Sequence, residues 1–229
     1  MNDIPNHLKV VQEQIAAVAR DAGREPSEVE LVAVSKSQSA EMVRQAFDAG
    51  QLTFGENRAQ ELIAKVPLLP TSTHWHFIGH LQKNKIRKVL PLAELIHAVD
   101  SVELAREIDR IASELGLFPR ILLEVNVSAE ASKFGFSPDA VRREAPRLLS
   151  LPRVQVEGFM TMAPIAEYPD DARPFFARLR TLRDEIAAEN NAGLPVLSMG
   201  MSDDFAAAIK EGATLVRIGT AIFGARPKP

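Results

Sequence analysis

The chain has 229 residues, 46% of them hydrophobic, a formal net charge of −3 at pH 7 and no cysteine. That length buries one substantial core. The absent cysteine excludes disulfides, thiolate nucleophiles and cysteine-ligated zinc or iron–sulfur centres. The mild acidity gives no electrostatic case for a nucleic-acid or anionic-membrane partner.

Residues 1–22 mix charged and apolar side chains at helical spacing, without the continuous apolar run of a leader or a membrane span. They are expected to form a helix packed on the rest of a single domain spanning 1–229, in a cytoplasmic protein. Val29 to Ser35 reads as a β-branched strand. Ser39 caps a helix whose Met42, Val43, Ala46 and Phe47 face a core, and Gly50 closes it. A short strand follows at Leu52 to Phe54, then a helix from Asn57, a strand from Trp75 to Ile78, a helix through Ile86 to Leu90, and a strand from Leu95 to Val99. Ser101 caps a helix to Leu115. Arg120 to Val127 is the clearest strand, with a helix from Ser137 behind it. Val154 to Met160, a helix from Asp170 to Glu189, Pro195 to Met199, a helix from Ser202 to Glu211, and Leu215 to Ile218 complete the alternation. Eight strands alternating with helices, each strand too apolar for a wet face, predict a parallel α/β sheet, and a closed TIM-type (β/α)8 barrel fits best. An open doubly wound sheet is the alternative; both place ligands at the carboxyl ends of strands.

The polar residues just past those ends are therefore the ones to weigh. Lys36 follows the first strand, where partial desolvation and neighbouring cations lower an ammonium pKa and leave an amine able to attack an aldehyde. Taken alone, a lysine in that position is more often a loop residue with its head in water. Ser202, Gly219 and Thr220 lie after strands seven and eight, where barrels commonly hold phosphate. Each also reads as an ordinary cap or turn. Arg217 points inward at the end of strand eight, either toward a ligand ring or into a salt bridge with Asp203 or Asp204. One electrophilic, phosphorylated cofactor accounts for Lys36 and the anion site together.

These residues sit in recognisable segments: AVSKSQ (33–38), FGENRAQE (54–61), WHFIGHLQKNK (75–85), SKFGF (132–136), MTMAP (160–164), SMGMSDDFAAAI (198–209) and VRIGTAIFGAR (216–226). In this order, from about residue 8 to residue 226, they resemble the pyridoxal phosphate homeostasis proteins, also called YggS-like or proline synthetase co-transcribed proteins. The resemblance implies a fold-type III barrel like the N-terminal domain of alanine racemase. It implies pyridoxal 5′-phosphate as a Schiff base on Lys36, phosphate contacts from Ser202, Gly219 and Thr220, and Arg217 facing the pyridine nitrogen. Asn57 and His80 lie in the same motifs and join the cofactor-binding set. Arg58 stands where many relatives carry tyrosine, so no ring contact is carried over to it.

Alanine racemases add a β domain that supplies a tyrosine base. Here only a short tail follows Arg217, and the one tyrosine, Tyr168, lies in a polar stretch. A site with one base and an arginine on the ring nitrogen is poorly equipped for carbanion chemistry, where positioned acid–base groups supply about 10²–10⁴ in rate. The expectation is a non-catalytic carrier that buffers the cofactor or delivers it to apoenzymes in transient encounters, as a monomer or weak homodimer. Two rivals stand beside it. One is a weak amino-acid racemase of the same fold, and the other a metal-dependent hydrolase using His74, His76 and His80. The basic run Lys83, Lys85, Arg87 and Lys88 reads as a solvated helix face, or as a second, weaker cofactor site.

Overall fold

The computed structural model describes residues 3–128, 130, 134–164 and 167–224. Eight parallel strands close into a barrel in chain order: β1 (Glu30–Val34), β2 (Thr53–Glu56), β3 (His74–Phe77), β4 (Leu95–Val99), β5 (Arg120–Glu124), β6 (Gln155–Met160), β7 (Val196–Ser198) and β8 (Leu215–Ile218). Helix α1 (Ile4–Asp21) precedes them. Between and after them run α2 (Ala40–Asp48), α3 (Ala59–Lys65), α4 (Ile86–Val89), α5 (Val102–Leu115), α6 (Pro138–Leu149), α7 (Arg173–Asn190), α8 (Phe205–Lys210) and α9 (Thr220–Phe223). β8 pairs with β1, setting Val32 opposite Arg217. Closure therefore brings all the carboxyl ends of the strands to one rim.

The local reasons are legible. In α1, Ile4, Leu8, Val11, Ile15 and Ala19 are buried, a stripe at helical spacing that lies against α2, α8 and α9. Ser39, Ser101 and Ser137 accept hydrogen bonds from the backbone N–H groups of Met42, Leu104 and Ala140, capping α2, α5 and α6. Gly50 and Gly116 take left-handed conformations where α2 and α5 end. The strand Leu95–Val99 and the helix ending at Leu115 fall where the hydropathy pattern predicts them. Gly158 answers a different demand. Its φ is 154°, and a Cβ there would sit 1.9 Å from the Val196 carbonyl oxygen, so β6 and β7 approach only because the side chain is absent.

Two expectations need correction. The helix predicted from Ser202 begins at Phe205, because Asp204 Oδ1 accepts from the Met201 N–H at 2.6 Å and spends the intervening residues on a turn. Nor are the strands apolar on both faces. Inside the barrel, a floor of Val32, Leu95, Leu122, Val196 and Leu215 gives way, two residues further along β4, β5, β7 and β8, to His97, Glu124, Ser198 and Arg217. Helices cover the outer face, so the apolar composition of the strands reports mainly on that side.

Among the described residues no helix is long and apolar enough to cross a membrane. The tail 225–229, and Ser132 and Lys133 of the SKFGF segment, lie outside the described residues.

Candidate functional site

Lys36 stands two residues past β1 and is half-buried. It shares a crevice of about 20 Å³ with Val34, Gln38, Gly219, Thr220 and Gly224, so the first strand and the start of α9 face each other across the β1–β8 seam. A space of that size admits one small group; anything larger must lie in the open mouth above it. Gly219 has a φ of −123°, which any residue can adopt. Glycine is needed there for room, since a Cβ would meet the Val34 carbonyl oxygen at 3.0 Å and its Cβ at 3.2 Å. Thr220 is exposed at the first position of α9.

Arg217 is 6% exposed and enters the barrel. Its Nη1 donates to Ser198 Oγ at 2.6 Å and its Nη2 to the Thr161 carbonyl oxygen at 3.0 Å. These are its hydrogen bonds among the described residues, and the alternative reading of a salt bridge with Asp203 or Asp204 is not met. A guanidinium has five N–H donors, so the two contacts orient it without exhausting it. Burial lowers its pKa to about 10, against the pull of Asp204 and Glu124, and leaves it charged at neutral pH. Behind it, Ser198 Oγ lies 2.9 Å from His97 Nδ1, and His97 Nε2 lies 3.0 Å from His76 Nδ1. Burial holds both imidazoles in the neutral form, His76 at about 4 and His97 well below its ordinary value.

The rest of the rim is acidic and aromatic. Glu124, the last residue of β5, stands across the barrel from β1. Burial and the nearby Asp100 raise its carboxyl to about 7, against Arg217 and His80. His80 Nδ1 lies 3.1 Å from Asp100 Oδ2, and its ring stacks on Phe134 at 5.0 Å. Asn57 is exposed just past β2 and lines a cavity of about 640 Å³ with Arg58, His80, Gln82 and Lys85. Ser202 is half-buried in the turn before α8.

The predicted site residues thus share the carboxyl-terminal end of the barrel but fall into separate groups. Lys36, Gly219 and Thr220 line one crevice, Asn57 and His80 line the β2–β3 cavity, and Arg217 ties β8 to β6 and β7. Sequence reasoning missed His97, Ser198 and Glu124. The signal was present: each lies two positions beyond an inward apolar residue of its strand. The three histidines of the metal reading are not gathered. His74 pairs with Glu94 at the floor, His76 with His97 inside, and His80 with Asp100 at the rim. Among the described residues no group of three histidine or acidic side chains is placed to hold a metal ion. Of the basic run, Lys83, Arg87 and Lys88 are exposed and Arg87 pairs with Glu114, while Lys85 turns into the β2–β3 cavity.

The profile of the alanine racemase N-terminal domain family matches residues 7–227. A protein of Aquifex aeolicus named pyridoxal phosphate homeostasis protein is 43% identical over 220 residues, covering 96% of both chains. PipY of Synechococcus elongatus, solved with PLP bound, is 40% identical and superposes with a TM-score of 0.85 over 97% of this chain and 100% of its own. An alanine racemase of Clostridium difficile shares the fold at a TM-score of 0.76 and 17% identity, over 97% of this chain and 58% of the racemase.

Proposed function

Since this chain belongs to the alanine racemase N-terminal domain family, and within it to the pyridoxal phosphate homeostasis proteins, we propose that Lys36 is where it takes up pyridoxal 5′-phosphate. The protein binds that cofactor and serves intracellular vitamin B6 homeostasis. The observation that supports Lys36 is the crevice it shares with Gly219 and Thr220: an amine and a narrow backbone cradle lie together on one side of an open mouth.

When bound, the cofactor supplies an aldehyde that condenses reversibly with an amine, losing water, and a phosphate that needs hydrogen-bond donors. The chain's own residues divide the work of holding it. Lys36 offers the amine. The backbone at Gly219, with the Thr220 and Ser202 hydroxyls, receives phosphate oxygens, and the missing Cβ of Gly219 leaves the space. Arg217, charged and locked onto Ser198 and Thr161, donates toward the ring nitrogen and disfavours a proton there. Asn57 and His80 flank the ligand on the β2–β3 side.

An arginine at that nitrogen weakens the ring as an electron sink, so we read the protein as a carrier and not as an enzyme. It buffers the aldehyde and hands it to apoenzymes in brief encounters, as a cytoplasmic monomer or weak homodimer. Residues 1–229 act as one barrel unit, with 1–22 packed on it. The test is an absorption spectrum of the purified protein with added pyridoxal phosphate, before and after borohydride, for the native chain and Lys36→Ala. A visible band is expected that borohydride bleaches, reducing the imine to a secondary amine and leaving the pyridoxyl group on the peptide containing Lys36. An unchanged band in Lys36→Ala sinks the assignment. Delivery is tested by transfer to an apoenzyme: a rate no faster than free dissociation contradicts it.

A further inference from the structure

Lys65 ends α3 and is only 6% exposed, an unusual place for an ammonium. Its Nζ donates to the Ser35 carbonyl oxygen at 2.8 Å, to Glu56 Oε1 at 2.6 Å and to Glu61 Oε2 at 3.1 Å. Ser35 Oγ donates to the same Glu56 oxygen at 2.6 Å, and the Ser37 N–H donates to the same Glu61 oxygen at 2.6 Å. The residues before and after Lys36 are therefore held by one buried ammonium, directly on one side and through a carboxylate on the other.

The turn they hold is a demanding one. The Gln38 N–H closes it onto the Ser35 carbonyl, and Ser37 sits at a φ of 63°, a left-handed conformation normally left to glycine or asparagine. Serine keeps it here with its N–H fixed by Glu61. Glu56 Oε1 accepts two hydrogen bonds while Oε2, also buried, has no hydrogen-bond partner among the described residues. The cluster is thus not arranged for the best satisfaction of its own charges. Buried ion pairs of this kind are commonly replaceable by apolar residues of similar volume without loss of stability, so stability alone does not account for an ammonium at this position. The backbone contacts on either side of Lys36 do.

We propose that Lys65 is a positioning residue for Lys36. It grips the turn from behind β1 and β2, at Ser35 directly and at Ser37 through Glu61, and so fixes the direction in which the Lys36 side chain enters the mouth. This rests on the reading of Lys36 as the attachment point and adds the part of the chain that aims it.

The test compares full-length Lys65→Met, Lys65→Arg and Glu61→Ala with the native chain, using two readouts. One is pyridoxal phosphate affinity together with the induced circular dichroism per mole bound. The other, made without cofactor, is the rate of reductive methylation of Lys36 by formaldehyde, followed by peptide mapping. Lys65→Met is expected to keep a cooperative melt, bind at least tenfold more weakly, change the induced dichroism and shift the Lys36 methylation rate several-fold. Lys65→Arg restores part of each, and Glu61→Ala, which releases Ser37 and removes one acceptor of Lys65 but keeps the Lys65 contact with the Ser35 carbonyl, falls between. Native affinity, dichroism and methylation in both Lys65→Met and Glu61→Ala overturn the proposal. Should Lys65→Met not fold, Glu61→Ala decides by the same readouts, since Glu61 is partly exposed and not part of the core. Should Lys36→Ala bind the cofactor as the native chain does, the attachment reading fails by itself. The methylation rate then judges the positioning role, and an unchanged rate overturns it.

Discussion

Arg217 Nη1 donates to Ser198 Oγ at 2.6 Å, and this contact heads a line of hydrogen bonds that runs through His97 to His76. A guanidinium only donates, and His97 Nδ1 is the one acceptor within reach of the Ser198 hydroxyl proton among the described residues, so satisfying that buried proton directs it to His97 Nδ1. His97, neutral because it is buried, then carries its proton on Nε2 and gives it to His76 Nδ1. His76 in turn holds its proton on Nε2, facing the cavity at the floor of the barrel. Both rings should therefore show the Nε2–H tautomer in ¹⁵N-resolved NMR at neutral pH, with His76 staying neutral until the pH approaches 4. A His97 protonated on Nδ1 contradicts the chain of donors.

Ser198→Ala removes the one atom shared by Arg217 and His97. Two buried polar groups lose a partner at once, at about 1–3 kcal/mol for each left unsatisfied. The expected loss is about 3 kcal/mol in denaturant unfolding, accompanied by weaker cofactor binding because the guanidinium loses its anchor. A stability within about 0.5 kcal/mol of native would mean that Arg217 is held by Thr161 alone.

Glu124 makes stability depend on pH in a definite sense. Its pKa is raised from 4.5 to about 7 on folding, so the native state keeps a proton that the unfolded chain releases. The stability associated with that proton is full below about 4.5 and is lost as pH rises through 7, by at most about 3 kcal/mol. Glu124→Gln should therefore gain on the native protein between pH 4.5 and 8, measured as the difference in unfolding free energy. His76 acts in the opposite sense: its lowered pKa gives stability that is present above 6.5 and is lost as pH falls through about 4. The difference between variant and native, and not the raw curve, isolates Glu124. A flat difference would show that Glu124 is ionised at neutral pH.

Gly158→Ala should be the most damaging single-methyl change in the sheet. The added carbon meets the Val196 carbonyl at 1.9 Å, and the backbone φ of 154° is strained for alanine as well. Separating β6 from β7 costs about 3 kcal/mol or more, a drop of about 10 °C in melting temperature for a chain of this size. A native melting temperature would show that the two strands can part without penalty.

Much of the barrel was legible because helices cover its outside. Outward residues such as Ile96, Ile121 and Leu123 give the strands their apolar character, and serine caps and glycine stops mark the helix ends. The interior was less so. His97, Ser198 and Arg217 are far apart in the chain and look like isolated polar residues in apolar runs until β4, β7 and β8 bring them to one level. The sequence pattern starts α8 three residues early, at Ser202, because the turn that the Met201 N–H closes on Asp204 Oδ1 has no hydropathy signature. Of the candidate site, Lys36, Gly219 and Thr220 could be picked out by their places past strand ends, and the structure brings the three to one crevice. Lys65 was not, since nothing local distinguishes a lysine at the end of α3 from one that reaches water.

The seam between β1 and β8 gives the site a history as well as a shape. Lys36 follows the first strand and Gly219 the last, so the pairing of Val32 with Arg217 is among the most sequence-distant contacts in the molecule. Such contacts carry a large loop-closure cost and set the pace of folding. A chain that has formed every unit but the last possesses the lysine without the cradle. With Lys36 and Gly219 holding the cofactor as proposed, capture of the aldehyde would be reserved for molecules that have finished folding, and a ligand binding only those would draw the population toward the closed barrel.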